Sequence, residues 1–345
     1  MKIFANILKA GETTTDNVFS VSDLKLHKDK NGNPYYRLVL ADKTGEIKAN
    51  IWGDKIPDCE VRDLNRGDIV SVDAVVDSYN EKTQLSILSL KKVKSGDYDL
   101  SDLLQVSRFD IDELWERLES QIGKIKDPDY KALVKNIFKD EKTKKAYRSI
   151  SAGIGVHHDF VGGLLEHVVE MIDIAKSMKK WYPEANFDLV VAGILLHDIG
   201  KTEEIVSIGT TFEKTERGRL VGHIVLGTEM VLRNLPKDFP EPKKTMIQHI
   251  ILSHHGELQF GAVVVPMTME AQIVSMVDRA SSHVRIFQEV LGRHASDSSF
   301  TDYNKYANAS LFVSSAEMLD KIKQQLSLKD FEDEDYLTDE QKKLL

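Results

Sequence analysis

The sequence predicts two domains of different class, a small antiparallel β-barrel followed by an all-α domain. Three observations predict this. Apolar and polar residues alternate with period two, between turn signals, up to about residue 94. Period-3.6 patterns take over near Asp110 and persist. All but His27 of the 11 histidines fall between His157 and His294, inside the helical part, and imidazole is the commonest metal ligand in proteins.

The bulk numbers agree with a soluble enzyme-sized chain. The 345 residues suffice for two or three domains, and 41% hydrophobic with 29% charged residues is ordinary globular composition. The net charge of −9 argues against tight nonspecific duplex binding, although a local basic groove can sit on an acidic molecule. The single cysteine, Cys59, excludes an internal disulfide and a thiolate-rich zinc site. No apolar run approaches the roughly 20 residues that span a bilayer. Residues Met1 to Asn6 lack a signal peptide's apolar core and cleavage site. The expected location is therefore the cytoplasm, with no membrane partner.

Strands are expected at Tyr35–Leu40, Glu46–Trp52, Asp68–Val75 and Thr83–Leu90. Turn signals separate them at Lys30–Pro34, Asp42–Gly45 and Asn65–Asp68. Short strands at this density suggest a closed or nearly closed barrel. The run Val21-Ser22-Asp23-Leu24, then Asn33-Pro34-Tyr35-Tyr36-Arg37-Leu38-Val39-Leu40-Ala41-Asp42-Lys43-Thr44-Gly45, resembles an OB-fold of the nucleic-acid-binding kind. Ile47–Trp52 and Gly67–Val70 fit the same pattern. That resemblance implies a single-strand groove, with Tyr35, Tyr36, Trp52 and Tyr79 available for stacking and Lys25, Arg37 and Lys48 for phosphates. The alternative for each ring is a place in the barrel core.

The pattern lapses over 95–109, which reads as a linker between a 1–94 barrel and a 110–325 helical domain. Helices are expected from Asp110, from Asp127-Pro128, and over Val161–Met178, Asp188–His197, Val221–Leu235, Lys243–His255, Thr268–Leu291 and Ser314–Gln325. From Asp159 onward nearly everything reads as helix. Residues 326–345, with the acidic run Asp330–Asp335, read as a solvated tail.

Within the helical part, Gly193-Ile194-Leu195-Leu196-His197-Asp198-Ile199-Gly200-Lys201 leads a buried helix into a histidine-aspartate pair. Burying an imidazole beside a carboxylate costs free energy unless each is paired or coordinated. His167, His223, His254-His255 and Asp278 lie on other expected helices. Imidazoles with carboxylates suit Mn, Fe, Co or Zn. Asp198 has two oxygens, enough to bridge two ions at the roughly 3.5–4 Å spacing of two-metal hydrolases.

This order resembles the HD superfamily of metal-dependent phosphohydrolases. Its minimal pattern matches His167, His197-Asp198 and Asp278, while His223 and one or both of His254 and His255 match members that hold a second metal. The resemblance makes Asp198 and Lys201 the catalytic candidates, with Lys201 on a substrate phosphate; its alternative is a helix-terminal lysine in solvent. His157-His158 either touch substrate or cap the next helix, and Arg279 either meets phosphate or pairs with an acid. An OB-fold joined to such a domain, with His157-His158-Asp159-Phe160-Val161-Gly162-Gly163-Leu164-Leu165-Glu166-His167, resembles the YhaM family of bacterial 3′–5′ exoribonucleases. The likeness spans about residues 10 to 320.

That family implies metal-dependent removal of nucleotides from the 3′ end of single-stranded RNA, with DNA left open. Two divalent ions are expected, manganese first, with Co, Fe, Mg or Zn as alternatives. The competing functions are an HD nucleotidase or cyclic-nucleotide phosphodiesterase, and a non-catalytic single-strand-binding protein. Assembly into a homo-oligomer is compatible with the sequence.

Overall fold

The computed structural model describes residues 2–79, 82–94, 96–99, 102, 103, 106–208, 211–292, 294, 298–315, 318–320 and 322. Their contacts divide into two units, Met1–Val106 with Val206–Glu213, and Ser107–Ile205 with Lys214–Leu345.

The first unit is built on a closed five-stranded barrel. Its strands are β1 (Thr13–Lys28), β2 (Pro34–Asp42), β3 (Gly45–Ile51), β4 (Ile69–Tyr79) and β5 (Lys82–Lys92), in the order β1-β2-β3-β5-β4. Every neighbouring pair is antiparallel except β3 with β5. This is an OB-fold barrel. Closure depends on β1, whose first half pairs with β4 and second half with β2. Register shifts at Thr14/Asn17 and Val21/Asp23 mark where it bends, as bulges do when a sheet must curl. The inward residues Phe19, Val21, Leu38, Leu40, Ala49, Ile51, Val72, Leu85 and Ile87 are buried. The sequence reading does not recover β1 as a strand, because those bulges interrupt its alternation.

The second unit is helical, with α1 (Ile111–Lys124), α2 (Pro128–Phe138), α3 (Glu141–Ser149), α4 (Gly163–Met178), α5 (Phe187–Leu196), α6 (Lys201–Glu204), α7 (Glu216–Val221), α8 (His223–Arg233), α9 (Glu241–Ser253) and α10 (Met269–Gly292). Aspartates open the first three. Asp110 accepts from the backbone of Asp112 and Glu113, Asp127 from Asp129 and Tyr130, and Asp140 from Thr143, satisfying N–H groups a helix start leaves unpaired. Helix α5 is apolar nearly all round, with Leu189, Val190, Ala192, Ile194, Leu195 and Leu196 buried, so it forms the centre of this unit. Its C-terminus therefore ends in the interior.

One part of the expected run of helices is β structure. Strands β6 (Ile205–Ile208) and β7 (Thr211–Lys214) form a two-stranded sheet. Four-residue strands are too short to leave a readable period. Of the helix expected over 314–325, helical residues are described at 318–320 and 322. The acidic run 330–335 lies outside the described residues. Among the described residues no helix is long and apolar enough to cross a membrane.

Candidate metal centre

Five helices bring the histidines and aspartates together. Helix α4 carries His167, the end of α5 carries His197 and Asp198, α8 begins at His223, α9 ends at His254 and His255, and α10 carries Asp278. Two glycines allow the approach. A Cβ on Gly200 would lie 2.0 Å from the His223 carbonyl oxygen, and one on Gly163 would lie 2.0 Å from that of His158. Glycine after the His-Asp pair therefore lets α8 seat its first residue against the centre, and glycine at the start of α4 admits the His157-His158 loop. His158 itself has φ of 51°, an unfavourable conformation for a residue with a side chain.

The rings are oriented from behind. His197 and His254 cap α5 and α9, and each sets its Nδ1 2.8 Å from a carbonyl in its own last turn, Ile194 and Ile251 respectively. Those carbonyls are ones a helix end leaves unpaired. Nδ1–H donation to them leaves the Nε2 lone pair facing inward. His167 is held through Nδ1 by the Ser281 hydroxyl at 2.9 Å, and Ser281 donates to Glu170 at 2.8 Å.

Asp198 stands at the centre, 3% exposed, and its two oxygens face different groups. Oδ2 lies 3.3 Å from His197 Nε2 and accepts a hydrogen bond from Lys201. Oδ1 lies 3.5 Å from His223 Nε2 and 3.6 Å from His254 Nε2. Across the site, Asp278 Oδ1 is 3.3 Å from His167 Nε2. Donor atoms of His167, His197 and Asp198 lie within 4.8 Å of one another, as do those of His223, His254 and His255, and those of His157, His158 and His167.

Burial opposes ionisation of Asp198, but Lys201 and His197 outweigh it and hold the carboxyl well below its usual range. Burial likewise opposes the charge on Asp278, and His167 and His197 reverse the balance, holding it ionised. Burial pushes His254, His157 and His158 well down and His255 down, which favours neutral imidazole, the form that binds metal. His197 goes the other way. Burial lowers it, but the adjacent Asp198 outweighs burial and raises it.

The donor set fits a cation. His158, His167, His197, His223 and His254 at Nε2, His255 at Nδ1 and Asp198 at Oδ1 are buried without a hydrogen-bond partner. His158, His167 and His197 have a carboxylate oxygen of Glu170, Asp278 and Asp198 respectively at 3.3 Å, so the deficit, ordinarily about 1–3 kcal/mol for each unpaired group, is concentrated at His223, His254, His255 and Asp198 Oδ1. A divalent metal would supply the missing partner.

The remaining sequence candidates sort clearly. Lys201 is buried on Asp198. Arg279 is exposed, 3.5 Å from Glu257, with its guanidinium over the Phe260 ring. On the barrel, Tyr35 and Trp52 stack at 5.1 Å, and His27, unmarked by the sequence reading, extends the row at 5.6 Å from Tyr35. Cross-strand register puts Tyr35 opposite His27 and Arg37 opposite both Lys25 and Asn50. Arg37 donates to the Tyr35 hydroxyl, and exposed Lys25 pairs with Asp23. Lys48 is exposed on β3. Tyr36 points the other way and packs against the core. The side chain of Tyr79 lies outside the described residues. Glu204, also unmarked by sequence, sits behind His223 with Oε2 3.2 Å from Nδ1.

Residues 164–282 match the HD domain family model. Over 266 residues the chain is 32% identical to a protein of Halalkalibacterium halodurans named 3′-5′ exoribonuclease YhaM, covering 76% of this chain and 81% of that one. It is 31% identical, over 76% of this chain and 83% of the other, to the protein of that name from Bacillus subtilis. Among solved structures it is similar to a domain of replication protein A from Methanococcus maripaludis, at 18% identity and a TM-score of 0.23, covering 27% of this chain and 97% of that one. It is also similar to an OB domain from Methanosarcina mazei, at 21% identity and a TM-score of 0.22, covering 27% and 84%.

Proposed function

The chain belongs to the YhaM family of 3′-5′ exoribonucleases, and from that premise we propose a metal-dependent hydrolase that removes nucleotides from the 3′ end of single-stranded RNA. The observation that carries this reading is the ring of five imidazoles, His167, His197, His223, His254 and His255, each with a buried ring nitrogen lacking a hydrogen-bond partner, around a carboxylate whose two oxygens face different ligand groups. His167, His197, Asp198 and Asp278 would hold one divalent ion, and Asp198, His223, His254 and His255 a second. Manganese is our assignment for both. When bound, the ions polarise the phosphodiester and acidify water near neutral pH.

The chain's own residues supply the rest. Asp198 joins the two ligand groups and fixes their separation. Lys201 holds its ammonium at the same carboxylate, where it can neutralise charge developing on a phosphoryl oxygen. His157, kept neutral by burial, borders the His167 side and offers a hydrogen bond to the strand's last nucleotide, whereas His158 is fully buried with Nε2 3.3 Å from Glu170 Oε2 and takes a supporting place. Arg279, exposed at the rim, is a further phosphate candidate. On the barrel, the His27–Tyr35–Trp52 row stacks bases while Lys25, Arg37 and Lys48 follow the backbone. A row of stacked rings favours a strand over a mononucleotide as substrate. The functional units are thus the barrel of 1–94 and the helical domain of 110–325, acting in the cytoplasm.

The test is product analysis on single-stranded RNA labelled at one end. A 3′ label is expected to appear at once as mononucleotide, and a 5′ label in a shortening ladder. Immediate mononucleotide from the 5′ label, or internal fragments first, would sink the proposal. A parallel DNA strand reads the contribution of the 2′-OH.

A further inference from the structure

We propose that Glu204 is a positioning residue for the second metal ion, acting through His223. The inference rests on the two-ion reading above. Glu204 is 2% exposed, and its Oε2 lies 3.2 Å from His223 Nδ1 while Oε1 accepts from Lys214 Nζ at 2.9 Å. An ionised carboxylate only accepts, so His223 must carry its proton on Nδ1. Its Nε2 lone pair then faces Asp198 Oδ1, where it has no hydrogen-bond partner.

The setting shows a built arrangement. The Glu204 carbonyl accepts from the Thr215 backbone N–H at 2.8 Å. A Cβ on Gly218 would come within 2.5 Å of that oxygen and 2.8 Å of Glu204 Cγ, so glycine lets α7 close over the glutamate. His223 also differs from its companions. His197 and His254 lean on backbone carbonyls and His167 on a hydroxyl, whereas His223 leans directly on a carboxylate. A carboxylate behind an imidazole locks its tautomer and raises its basicity as a ligand, and removing such a partner typically costs about 10–100-fold in metal affinity. Glu204 therefore tunes the group formed by His223, His254 and His255.

The experiment is competition between the full-length protein and a chelator for Mn²⁺, with metal per chain counted at each chelator concentration. Wild type is expected to hold two ions. In Glu204→Gln one ion should weaken about 10–100-fold while the other is unchanged. Glu204→Asp should recover part of the loss. With metal fully chelated, Glu204→Gln should melt where wild type does. Unchanged affinity for both ions overturns the proposal, and so does equal weakening of both with a lower melting temperature in chelator. A wild type that holds a single ion sinks the two-ion reading instead, and Glu204 is then judged on whether that ion weakens. Should Glu204→Gln fail to fold, ¹⁵N NMR of the wild-type imidazoles decides: the Nδ1–H tautomer at His223 is expected, and the Nε2–H tautomer overturns the proposal.

Discussion

The outer face of the barrel and the candidate metal centre are built by opposite means. The barrel face is exposed, its rings already rest on one another, and its cations are solvated or paired with neighbours such as Asp23. The candidate metal centre is buried, and its inward-facing ring nitrogens have no hydrogen-bond partner. Removing one contact from the first removes one increment of affinity, because water and neighbours replace it. Removing one donor from the second weakens the hold on a partner that the remaining donors share. On the proposed function, binding is thus distributed, whereas chemistry is concentrated on very few atoms.

The largest effect should separate the two regions completely. Asp198→Ala is expected to lower turnover by at least about 10²–10³-fold, the loss typical of deleting one electrostatic element from an active site. Its affinity for single-stranded RNA, measured by anisotropy, should stay within about twofold of wild type, well under the tenfold that 1.4 kcal/mol represents. Equal loss of both would show that the regions are not separate in function. Chelation with EDTA should likewise stop turnover and lower the melting temperature, and Mn²⁺ should restore both. A ligand at 100 times its dissociation constant adds about 2.7 kcal/mol of stability.

Trp52→Ala tests the other side. Base stacking contributes roughly 1–3 kcal/mol per base, so KM for an oligonucleotide should rise about five- to 150-fold. Hydrolysis of a small chromogenic phosphodiester should not change. Tyr36→Leu, on the inward face, should leave strand affinity within about twofold of wild type, since it swaps one apolar body for another. A smaller effect belongs to the scaffold. Asp127→Ala removes the cap of α2, at a cost of about 1 kcal/mol in stability. Burial would raise Asp127, but Lys243 and the backbone of Tyr130 outweigh it and lower it. A lowered carboxyl stabilises the fold above its unfolded value near 3.8, and that contribution fades as pH falls through the folded value. Wild type and Asp127→Ala should therefore converge in melting temperature as the pH falls below the ordinary carboxylate range and through the lowered folded value. Smallest of all, Arg37→Ala should reduce the salt dependence of binding by a log–log slope of about 0.7, one single-strand phosphate contact.

How much of this was legible in the sequence follows the same division. The helical candidates are readable because a ligand motif joins apolar period to chemistry, and His197-Asp198 follows the most apolar helix among the described residues. The strands β2 and β3 were readable from alternation alone. Alternation also contains the parity that separates outward Tyr35 from inward Tyr36, which listing aromatics does not use. His27 needed the β1–β2 register, which places it opposite Tyr35. Glu204 and Ser281 could not be read locally, because each matters only through a ring nitrogen brought to it by another helix. Their types, an acid in a helix and a serine in another, carry no signal by themselves.

The capping histidines of α5 and α9 have one more consequence. A helix concentrates about half an elementary negative charge at its C-terminal end, and His197 and His254 occupy two such ends. Both ends are directed at the space enclosed by the donors. The peptide backbone itself therefore draws cations inward, with a field that no side-chain substitution removes. Such a centre should keep some attraction for divalent ions even when an imidazole is lost, so variants in single histidines should weaken metal binding by degrees.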